Sequence, residues 1–486
     1  MDKTAQIRIQ LESRDPDVTI KLPENTGPIL VSTGLRRIAL STLVNNLLEN
    51  EKPIPFEFLI NGQFLRTTID EFLTANGISS EVTLSVEYVR ALIPPSHVVS
   101  FEHEDWISAV DVVSQTSSVL LQDQDGTSSP IKDPRILSAS YDGLIRMWSK
   151  SSDLLAVSKP TSGQPINAAC FLTTSKIVSA GSDRVVRVWK YEENGVTGGS
   201  MQVSGTFTPI LDLYGHRSSV DSISVHAPSS RILSGSSDHT VGLWSTRKSE
   251  GPQPPDSLLP SALPGAAKRR KLEQSAAFQP GPQRGPLSLL KRHTGPVSGA
   301  IFSAKDSTVG YSTSWDQTLV TWDLVTGAEV STRRLLNPLL CVTEMPDLGL
   351  LATGTSARHI AMIDPRVDVR DVTGLTLRGH AGAIVSAAAE PEKPWGLVSA
   401  SHDGTCRIWD LRSVRMDGKS ASGLAVGGTG QVCESVYVIR RESIANDERK
   451  VAGDGIKVFS VFWDKEVGIG SAGEDKRVQI DQMVPR

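Results

Sequence analysis

Serine, histidine and aspartate recur together in the second half of the chain, and these are the residue types of a hydrolytic triad. One such group is His380 and Asp403 with a nearby serine, Ser399 or Ser401. Similar groups return several times along the chain, whereas an enzyme needs a single nucleophilic site. The repetition therefore favours a structural hydrogen-bond network over catalysis.

The repeated unit places a serine shortly before an aspartate, and a tryptophan six residues after that aspartate. Five units follow this pattern: Asp142 with Trp148, Asp183 with Trp189, Asp238 with Trp244, Asp316 with Trp322, and Asp403 with Trp409. Two degenerate units keep the same register, with these residues at the two positions: Ala357 and Ile363, then Asp475 and Asp481.

The spacing of these units resembles that of WD repeats, which run roughly 40–45 residues and form the four-stranded blades of a β-propeller. It predicts a mainly β fold in which residues 93–486 form seven blades, with insertions in the longer gaps. The histidines His216, His380 and, more loosely, His293 precede three of the units. We expect them to hydrogen-bond with the serine, aspartate and tryptophan of their own blade.

Closure of the ring can also be predicted from the sequence. The last unit ends near Ile480, at its third strand, so its outer strand must come from elsewhere in the chain. The segment His97–Phe101 precedes the first complete blade. We therefore expect this segment to close the seventh blade, which removes two exposed strand edges.

Residues 1–92 have the pattern of a small α/β domain. Alternation predicts strands at Ile7–Leu11, from Val18 and Ile20 onward, at Phe56–Ile60 and at Val82–Tyr88. Ser32 or Thr33 is expected to cap a helix whose apolar positions are Leu35, Ile38, Ala39, Leu43, Leu47 and Leu48. Asn61-Gly62 is the dipeptide of a type I′ hairpin. This order of elements is that of a β-grasp fold and resembles ubiquitin.

Two insertions are expected to interrupt the ring. The first, about 246–292, contains eight of the 28 prolines, so we expect it to be disordered. It carries the basic cluster Lys268, Arg269, Arg270 and Lys271, which we interpret as a nuclear localisation signal. A solvated loop or a weak phosphate or RNA contact are the alternatives. The second, about 413–434, is rich in Gly and Ser and is expected to be a loop.

Several functional classes are disfavoured by composition and motifs. The net charge of −4 gives no global attraction to nucleic acid. The four cysteines form no CxxC pair, and the chain has neither an apolar run long enough for a membrane span nor a signal-peptide pattern. Gly468-x-Gly470-x-x-Gly473 matches a dinucleotide fingerprint, but the repeat predicts a strand there instead of the helix that the fingerprint requires.

Longer segments resemble one eukaryotic family of ribosome-biogenesis proteins, called Ytm or WD repeat-containing protein 12. The matching segments are EKPIPFEFLINGQFLRTTIDEFL, SSEVTLSVEYVRALIPPS, EDWISAVD, AAKRRKLE and PLSLLKRHTGPV. The resemblance implies a non-enzymatic scaffold in the nucleus, nucleolus and nucleoplasm. Its propeller joins a BOP-type WD-repeat scaffold and pescadillo, and the complex supports ribosomal RNA maturation and assembly of the large subunit on pre-ribosomal particles.

The resemblance also implies a role for the ubiquitin-like domain. In this family the domain docks on midasin, an AAA ATPase whose metal-ion-dependent adhesion site holds Mg²⁺, and ATP-driven pulling then removes the complex from the particle. The family's acidic ligand matches Glu81, flanked by Ser79 and Ser80. The chain itself is expected to hold no cofactor or metal. Glu71 is the rival carboxylate, but it lies in a short predicted helix.

Two other classes remain open on the sequence alone. The notchless protein also joins a ubiquitin-like domain to a propeller and meets midasin, but its family has eight blades. A propeller can also serve as a substrate receptor of a ubiquitin ligase, although no F-box or similar adaptor helix is found. The number of blades separates the first alternative from the prediction.

Overall fold

A computed structural model of the chain describes residues 5–13, 20–23, 26–49, 52–115, 133–194, 204–259, 281–367, 375–416, 431–445 and 456–483. Within these ranges, one small mixed sheet lies near the N-terminus and seven further sheets or sheet halves follow it. The mainly β fold predicted from the sequence is confirmed, and so are the α/β elements of the N-terminal domain.

The N-terminal domain has a β-grasp topology. Its elements are β1 (Gln6–Glu12), β2 (Ile29–Ser32), α1 (Arg37–Leu47), β3 (Phe56–Ile60), β4 (Gln63–Phe64), α2 (Ile69–Asn76) and β5 (Leu84–Arg90). The sheet order is β2-β1-β5-β3-β4, with β1 and β5 parallel at its centre. Leu40 and Val44 of α1 pack on one face of this sheet with the alternate residues of β1 and β5.

The second strand and the first helix cap differ from their predictions. The second strand is β2, not a strand from Val18 and Ile20; Val18 lies outside the described residues. The apolar side chain of Ile20 is fully buried in the core without belonging to a strand. Its carbonyl accepts a hydrogen bond from the Tyr88 hydroxyl at 2.7 Å. Helix α1 begins after Arg36, which makes no side-chain cap, and Ser32 Oγ accepts instead from the Gly34 amide. Ile38, one of the apolar positions that defined the predicted helix, is 73% exposed.

The predicted hairpin is confirmed. Asn61 and Gly62 both have positive φ, 51° and 76°, as a type I′ turn requires, and β3 and β4 pair on either side of them.

The propeller begins after a short connection. Blade 1 contains β7 (Ile107–Val113), β8 (Arg135–Ser140), β9 (Ile145–Ser149) and β10 (Leu154–Val157). Blade 2 contains β11 (Ile166–Phe171), β12 (Lys176–Gly181), β13 (Val185–Asn194) and β14 (Ser204–Tyr214). Blade 3 contains β15 (Val220–His226), β16 (Arg231–Ser236), β17 (Thr240–Ser245) and β19 (Ser288–Lys291). Blade 4 contains β20 (Val297–Phe302), β21 (Val309–Ser314), β22 (Thr318–Asp323) and β23 (Ala328–Arg334).

The last three blades include two unusual connections. Blade 5 contains β24 (Leu339–Met345), β25 (Leu350–Thr355), β26 (His359–Ile363) and β27 (Leu375–Arg378). Blade 6 contains β28 (Ile384–Ala389), β29 (Gly396–Ser401), β30 (Thr405–Asp410) and β32 (Gln431–Arg440). Blade 7 contains β33 (Val458–Asp464), β34 (Gly468–Gly473), β35 (Arg477–Gln482) and β6 (Ser96–Glu102). Strand β32 also pairs in parallel with β27, which joins blades 5 and 6 into one sheet.

The ring closes as the sequence predicts. The first strand of each blade contacts the first strand of the next, and that of blade 7 contacts that of blade 1. Strand β6, from the N-terminal side, pairs antiparallel with β35 as the outer strand of blade 7. Phe101 of β6 is buried and stacks on Trp148 of blade 1 at a centroid distance of 5.4 Å. The closing strand therefore belongs to the core between the last and first blades.

Both predicted insertions contribute strands at their ends, which corrects the prediction for those parts. Ser288–Lys291 is the outer strand of blade 3, and β18 (Gln283–Arg284) pairs with β14. A 3-10 helix covers Asp256–Leu258. In the second insertion, β31 (Arg415–Met416) pairs with β32. The composition of each insertion as a whole did not indicate these strands. An outer strand of a blade can be short and needs only one buried face, so a few residues at the end of a polar or proline-rich segment are sufficient. A short helix α3 (Glu442–Ala445) follows blade 6.

Candidate functional site

The repeated tryptophan and serine form the same hydrogen bond in five blades. Trp Nε1 donates to a serine Oγ ten residues earlier at 2.7–2.8 Å. The pairs are Trp148 with Ser138, Trp189 with Ser179, Trp244 with Ser234, Trp322 with Ser312, and Trp409 with Ser399. Since an unpaired indole N–H in a core is costly, the serine explains why a tryptophan is tolerated at each position.

Histidine and aspartate extend this network in blades 3, 4 and 6. In blade 6, His380 Nε2 lies 2.8 Å from Ser399 Oγ, and His380 Nδ1 lies 2.8 Å from an oxygen of Asp403. His216 with Asp238 and His293 with Asp316 repeat the arrangement. Because the tryptophan N–H can only donate to Ser399, the serine hydroxyl donates to Nε2 and the ring donates from Nδ1 to Asp403.

The pKa values agree with a neutral ring beside a charged carboxylate. Burial lowers the pKa of His380 and of His293. Burial alone raises the pKa of Asp403, but hydrogen bonds from His380, Thr405 and the Ala381 amide hold it well below its usual range. The serine of this trio, Ser399, is fully buried, so its hydroxyl has no access to a substrate. The group is therefore a structural clamp, not a triad.

Blade 1 uses a histidine that the sequence did not indicate. His103 Nε2 lies 2.8 Å from Ser138 Oγ, and its ring packs against Trp148. Burial, with help from the Arg146 charge, lowers the pKa of His103 to about 4. His103 precedes its serine by 35 residues, against 19 for His380 and Ser399, because the segment between β7 and β8 is longer. The spacing that identified the other histidines therefore missed it.

Arginine pairs with the repeated aspartate in blades 2 and 7, and in blade 7 it takes the partners of the histidine. In blade 2, Arg187 pairs with Asp183 at 2.5 Å. In blade 7, where Asp481 stands at the tryptophan position, Arg441 pairs with Asp475 at 2.6 Å and donates to Ser471 Oγ at 2.6 Å. Arg441 comes from the segment after blade 6 and contacts a serine and an aspartate, as His380 does in blade 6.

One left-handed residue marks the turn of every blade. The residue after the aspartate position has φ between 61° and 79° in all seven units: Gly143, Arg184, His239, Gln317, Arg358, Gly404 and Lys476. The two degenerate units share this turn with the five regular ones. The register predicted for Ala357 and Asp475 is therefore confirmed.

We expect Ser399→Ala to destabilise the propeller by about 2–5 kcal/mol, because it leaves both Trp409 Nε1 and His380 Nε2 buried without a partner. The nine tryptophans all follow residue 105, so their fluorescence during urea unfolding reports on the propeller alone. Ser151→Ala is the control, since Ser151 is exposed and should change stability by less than about 0.5 kcal/mol. Equal unfolding midpoints for the two variants would show that the network is not a source of stability.

The glycine motif at 468–473 forms strand β34 of blade 7. Gly470 packs against the ring of Phe462, where an added Cβ would lie 2.1 Å from a ring carbon. The glycines therefore serve strand packing, and the position lacks the helix N-terminus that a dinucleotide site needs.

Glu81 lies at the turn before β5 in the β-grasp domain. Ser79, Ser80 and Glu81 are all exposed. The turn is held by backbone groups and by Ser79, whose Oγ accepts from the Glu81 amide at 3.3 Å and whose carbonyl accepts from the Val82 amide at 3.4 Å. Within the ranges that the structure describes, the Glu81 carboxylate has neither a hydrogen-bond donor nor a basic partner. Among the described residues, its oxygens are therefore free for an external ligand.

The rival carboxylate is engaged locally. Glu71 begins α2, where its Oε2 accepts from the Thr68 amide at 3.3 Å and its own amide donates to Thr68 Oγ1 at 3.2 Å. This is a capping box, which stabilises the start of the helix. Glu71 thus has a structural role that Glu81 lacks.

The remaining predicted residues have different outcomes. Lys268, Arg269, Arg270 and Lys271 lie outside the described residues. Over the described part of the chain, no group of three or more His, Cys, Asp or Glu residues is placed to hold a metal ion. The helices in this described part are all too short or too polar to cross a membrane.

Comparison with known proteins agrees with the geometry. Residues 7–73 match the NLE (NUC135) domain, and residues 155–190, 207–245 and 372–410 match the WD domain, G-beta repeat. The WD40 β-propeller domain of Doa1 aligns with a TM-score of 0.52 over 80% of this chain and 97% of that one, at 17% identity, which supports the propeller fold. Fold and network together define a WD-repeat β-propeller protein with an N-terminal β-grasp domain.

Full-length relatives identify the family. The ribosome biogenesis protein YTM1 of Ajellomyces capsulatus is 57% identical over 98% of this chain and 93% of its own length. The corresponding protein of Aspergillus clavatus is 56% identical over 98% of this chain and 95% of its own. The chain belongs to the YTM1 family of ribosome biogenesis proteins.

Proposed function

We propose that this chain is a non-enzymatic scaffold of large-subunit assembly in the nucleolus, and that its β-grasp domain docks through Glu81 on the adhesion site of midasin. The propeller then joins a BOP-type scaffold and pescadillo, and the docked ATPase removes the complex from pre-ribosomal particles. Family membership supports the role in ribosome biogenesis. The seven blades favour this proposal over a notchless-type factor with eight.

The exposed, unpartnered carboxylate of Glu81 is the observation that carries the docking proposal. Mg²⁺ prefers octahedral coordination by hard oxygen ligands, and an adhesion site leaves one position for a ligand from the partner. Glu81 offers such an oxygen from a turn whose shape does not depend on its side chain. The site is tested by binding of the full chain to the isolated midasin adhesion domain, with Mg²⁺ and with EDTA.

The scaffold part is tested separately on the propeller. We expect tagged full-length chain to capture the BOP-type scaffold and pescadillo from nuclear extract, with or without Glu81. Capture of ubiquitin-ligase adaptors in their place would support the substrate-receptor alternative.

We expect replacement of Lys268, Arg269, Arg270 and Lys271 by alanine to increase the cytoplasmic fraction of the protein several-fold. Import receptors read such clusters by charge, and the cluster is the densest basic run in the sequence. The measurement is the nuclear-to-cytoplasmic ratio of a fluorescent fusion in cells without the wild-type protein, which could otherwise carry the variant in. Unchanged nuclear accumulation would count against the signal.

A further inference from the structure

Part of the β-grasp sheet is buried on the face that points away from α1, at β3 and the end of β5. Glu57, Leu59 and Val89 lie on this face, opposite the residues of the domain's own core, yet they are 4%, 1% and 1% exposed. Tyr437 of β32 lies beside this part of the sheet, since its hydroxyl donates to the carbonyl of Leu92, two residues after the end of β5. Blade 6 therefore covers part of the β-grasp sheet.

The tip of the β3–β4 hairpin fits tightly against blade 6. A Cβ added to Gly62 would lie 2.6 Å from the Val414 carbonyl oxygen, which is a backbone atom that cannot rotate away. Behind the tip, a cleft of about 220 Å³ separates the hairpin from blade 6, with Phe64 and Arg66 on one wall and Val432 and Glu434 on the other. We call the blade-6 side of this contact, Ser413, Val414 and β32, the hairpin seat.

The connection between the domains is anchored beside the hairpin seat. Leu92 is 8% exposed and packs into the core between blades 6 and 7, with Val398 and Ile439. The Tyr437 hydroxyl donates to the Leu92 carbonyl at 2.9 Å. Only Ile93, Pro94 and Pro95 separate Leu92 from the first residue of β6.

These contacts decide where a force on the β-grasp domain is applied. Without them, a pull would arrive at Ser96, the end of the closing strand, whose ladder partner is β35. With them, the pull arrives at β32, which is tied to blade 6 through β30 and to blade 5 through β27. Strand β32 is thus held by two blades, whereas β6 is held through the one ladder with β35.

We propose that the hairpin seat fixes the β-grasp domain on blade 6, so that a pull on the Glu81 turn is transmitted to β32 and not to the closing strand β6. The direction of the Glu81 turn relative to the propeller is then fixed as well. The transmission of force rests on the proposed docking to midasin, whereas the seating itself does not.

The seating is tested with two matched glycine variants of the full chain. Gly62 and Gly77 both have left-handed φ, 76° and 65°, so alanine strains the backbone at both. Only at Gly62 does the new Cβ collide, since nothing lies within 4 Å of one at Gly77. We expect chymotrypsin to cleave after Leu92 at least tenfold faster in Gly62→Ala than in Gly77→Ala. Equal cleavage rates in the two variants would overturn the seating.

The transmission of force is tested with the same variants in pre-ribosomal particles. We expect Gly62→Ala to bind the midasin adhesion domain as tightly as Gly77→Ala, and to be released by midasin and ATP at least threefold more slowly. Normal release of an unseated Gly62→Ala protein would overturn the transmission. If neither variant nor the wild-type chain binds midasin, the proposed docking has failed, and cleavage after Leu92 still decides the seating.

Discussion

Glu81→Ala should reduce the affinity of the chain for the midasin adhesion domain by about 30-fold to several thousand-fold. The change removes one charged ligand from a desolvated contact, and the loss of one partner of such a contact costs about 2–5 kcal/mol. The β-grasp domain should keep its fold, because the turn is held by Ser79 and the backbone. Titration of the full chain against the adhesion domain, with Mg²⁺ and then with EDTA, measures the effect.

Two further variants sharpen this experiment. Glu81→Asp keeps the charge but is one methylene shorter, so it should also weaken binding to an ion with strict geometry. Glu71→Gln is the matched control, since glutamine can replace glutamate in a capping box while the charge is removed. Wild-type affinity for Glu81→Ala, or insensitivity to EDTA, would refute a metal bridge through this residue.

Deletion of residues 1–105 should destabilise the propeller strongly, whereas deletion of residues 1–91 should have a small effect. The longer deletion removes the closing strand and exposes the edge of β35. It also removes the buried ring of Phe101 that stacks on Trp148, and loss of a buried phenylalanine side chain alone costs about 3–5 kcal/mol. The shorter deletion keeps both Leu92 and β6.

Tryptophan fluorescence during heating gives the comparison. Both truncated proteins keep all nine tryptophans, from Trp106 to Trp463, so the two signals report on the same residues. A difference of a few degrees is expected, since about 1 kcal/mol shifts the midpoint of a domain of 150–250 residues by roughly 2–4 °C and that of a larger domain such as this propeller by less. Identical melting temperatures would show that closure by β6 is unimportant for stability.

The sequence predicted the features that local chemistry determines. The Asp–Trp spacing predicted seven blades because every blade has the same left-handed turn, and five of them also need a hydrogen-bond acceptor for a buried indole. Asn61-Gly62 gave the hairpin because few dipeptides adopt positive φ at both positions. The closing strand followed from counting strands in the last unit, which is a question of topology and not of side-chain detail.

Other features depend on contacts between distant segments, and the sequence did not indicate them. Ile20 is apolar like a strand residue but lies outside any strand. Its side chain is buried in the core, and its carbonyl accepts a hydrogen bond from the distant Tyr88 hydroxyl. Arg441 is separated from Asp475 by 34 residues and belongs to a different blade in the repeat pattern. The hairpin seat includes both ends of the predicted Gly/Ser-rich insertion, and the composition of that insertion does not indicate what packs on it.

The position of the closing strand in the sequence also delays closure of the ring during protein synthesis. Strand β6 ends at Glu102 and its partner β35 begins at Arg477, so the ribosome makes β6 long before the residues that pair with it. At roughly 5–20 residues per second, the delay is on the order of 20–80 seconds. Throughout that interval the nascent chain carries an unpaired strand next to a β-grasp domain that is already complete. The finished ring can therefore form only after nearly the whole chain has been translated, and a truncated nascent chain would present an open edge to any neighbouring strand.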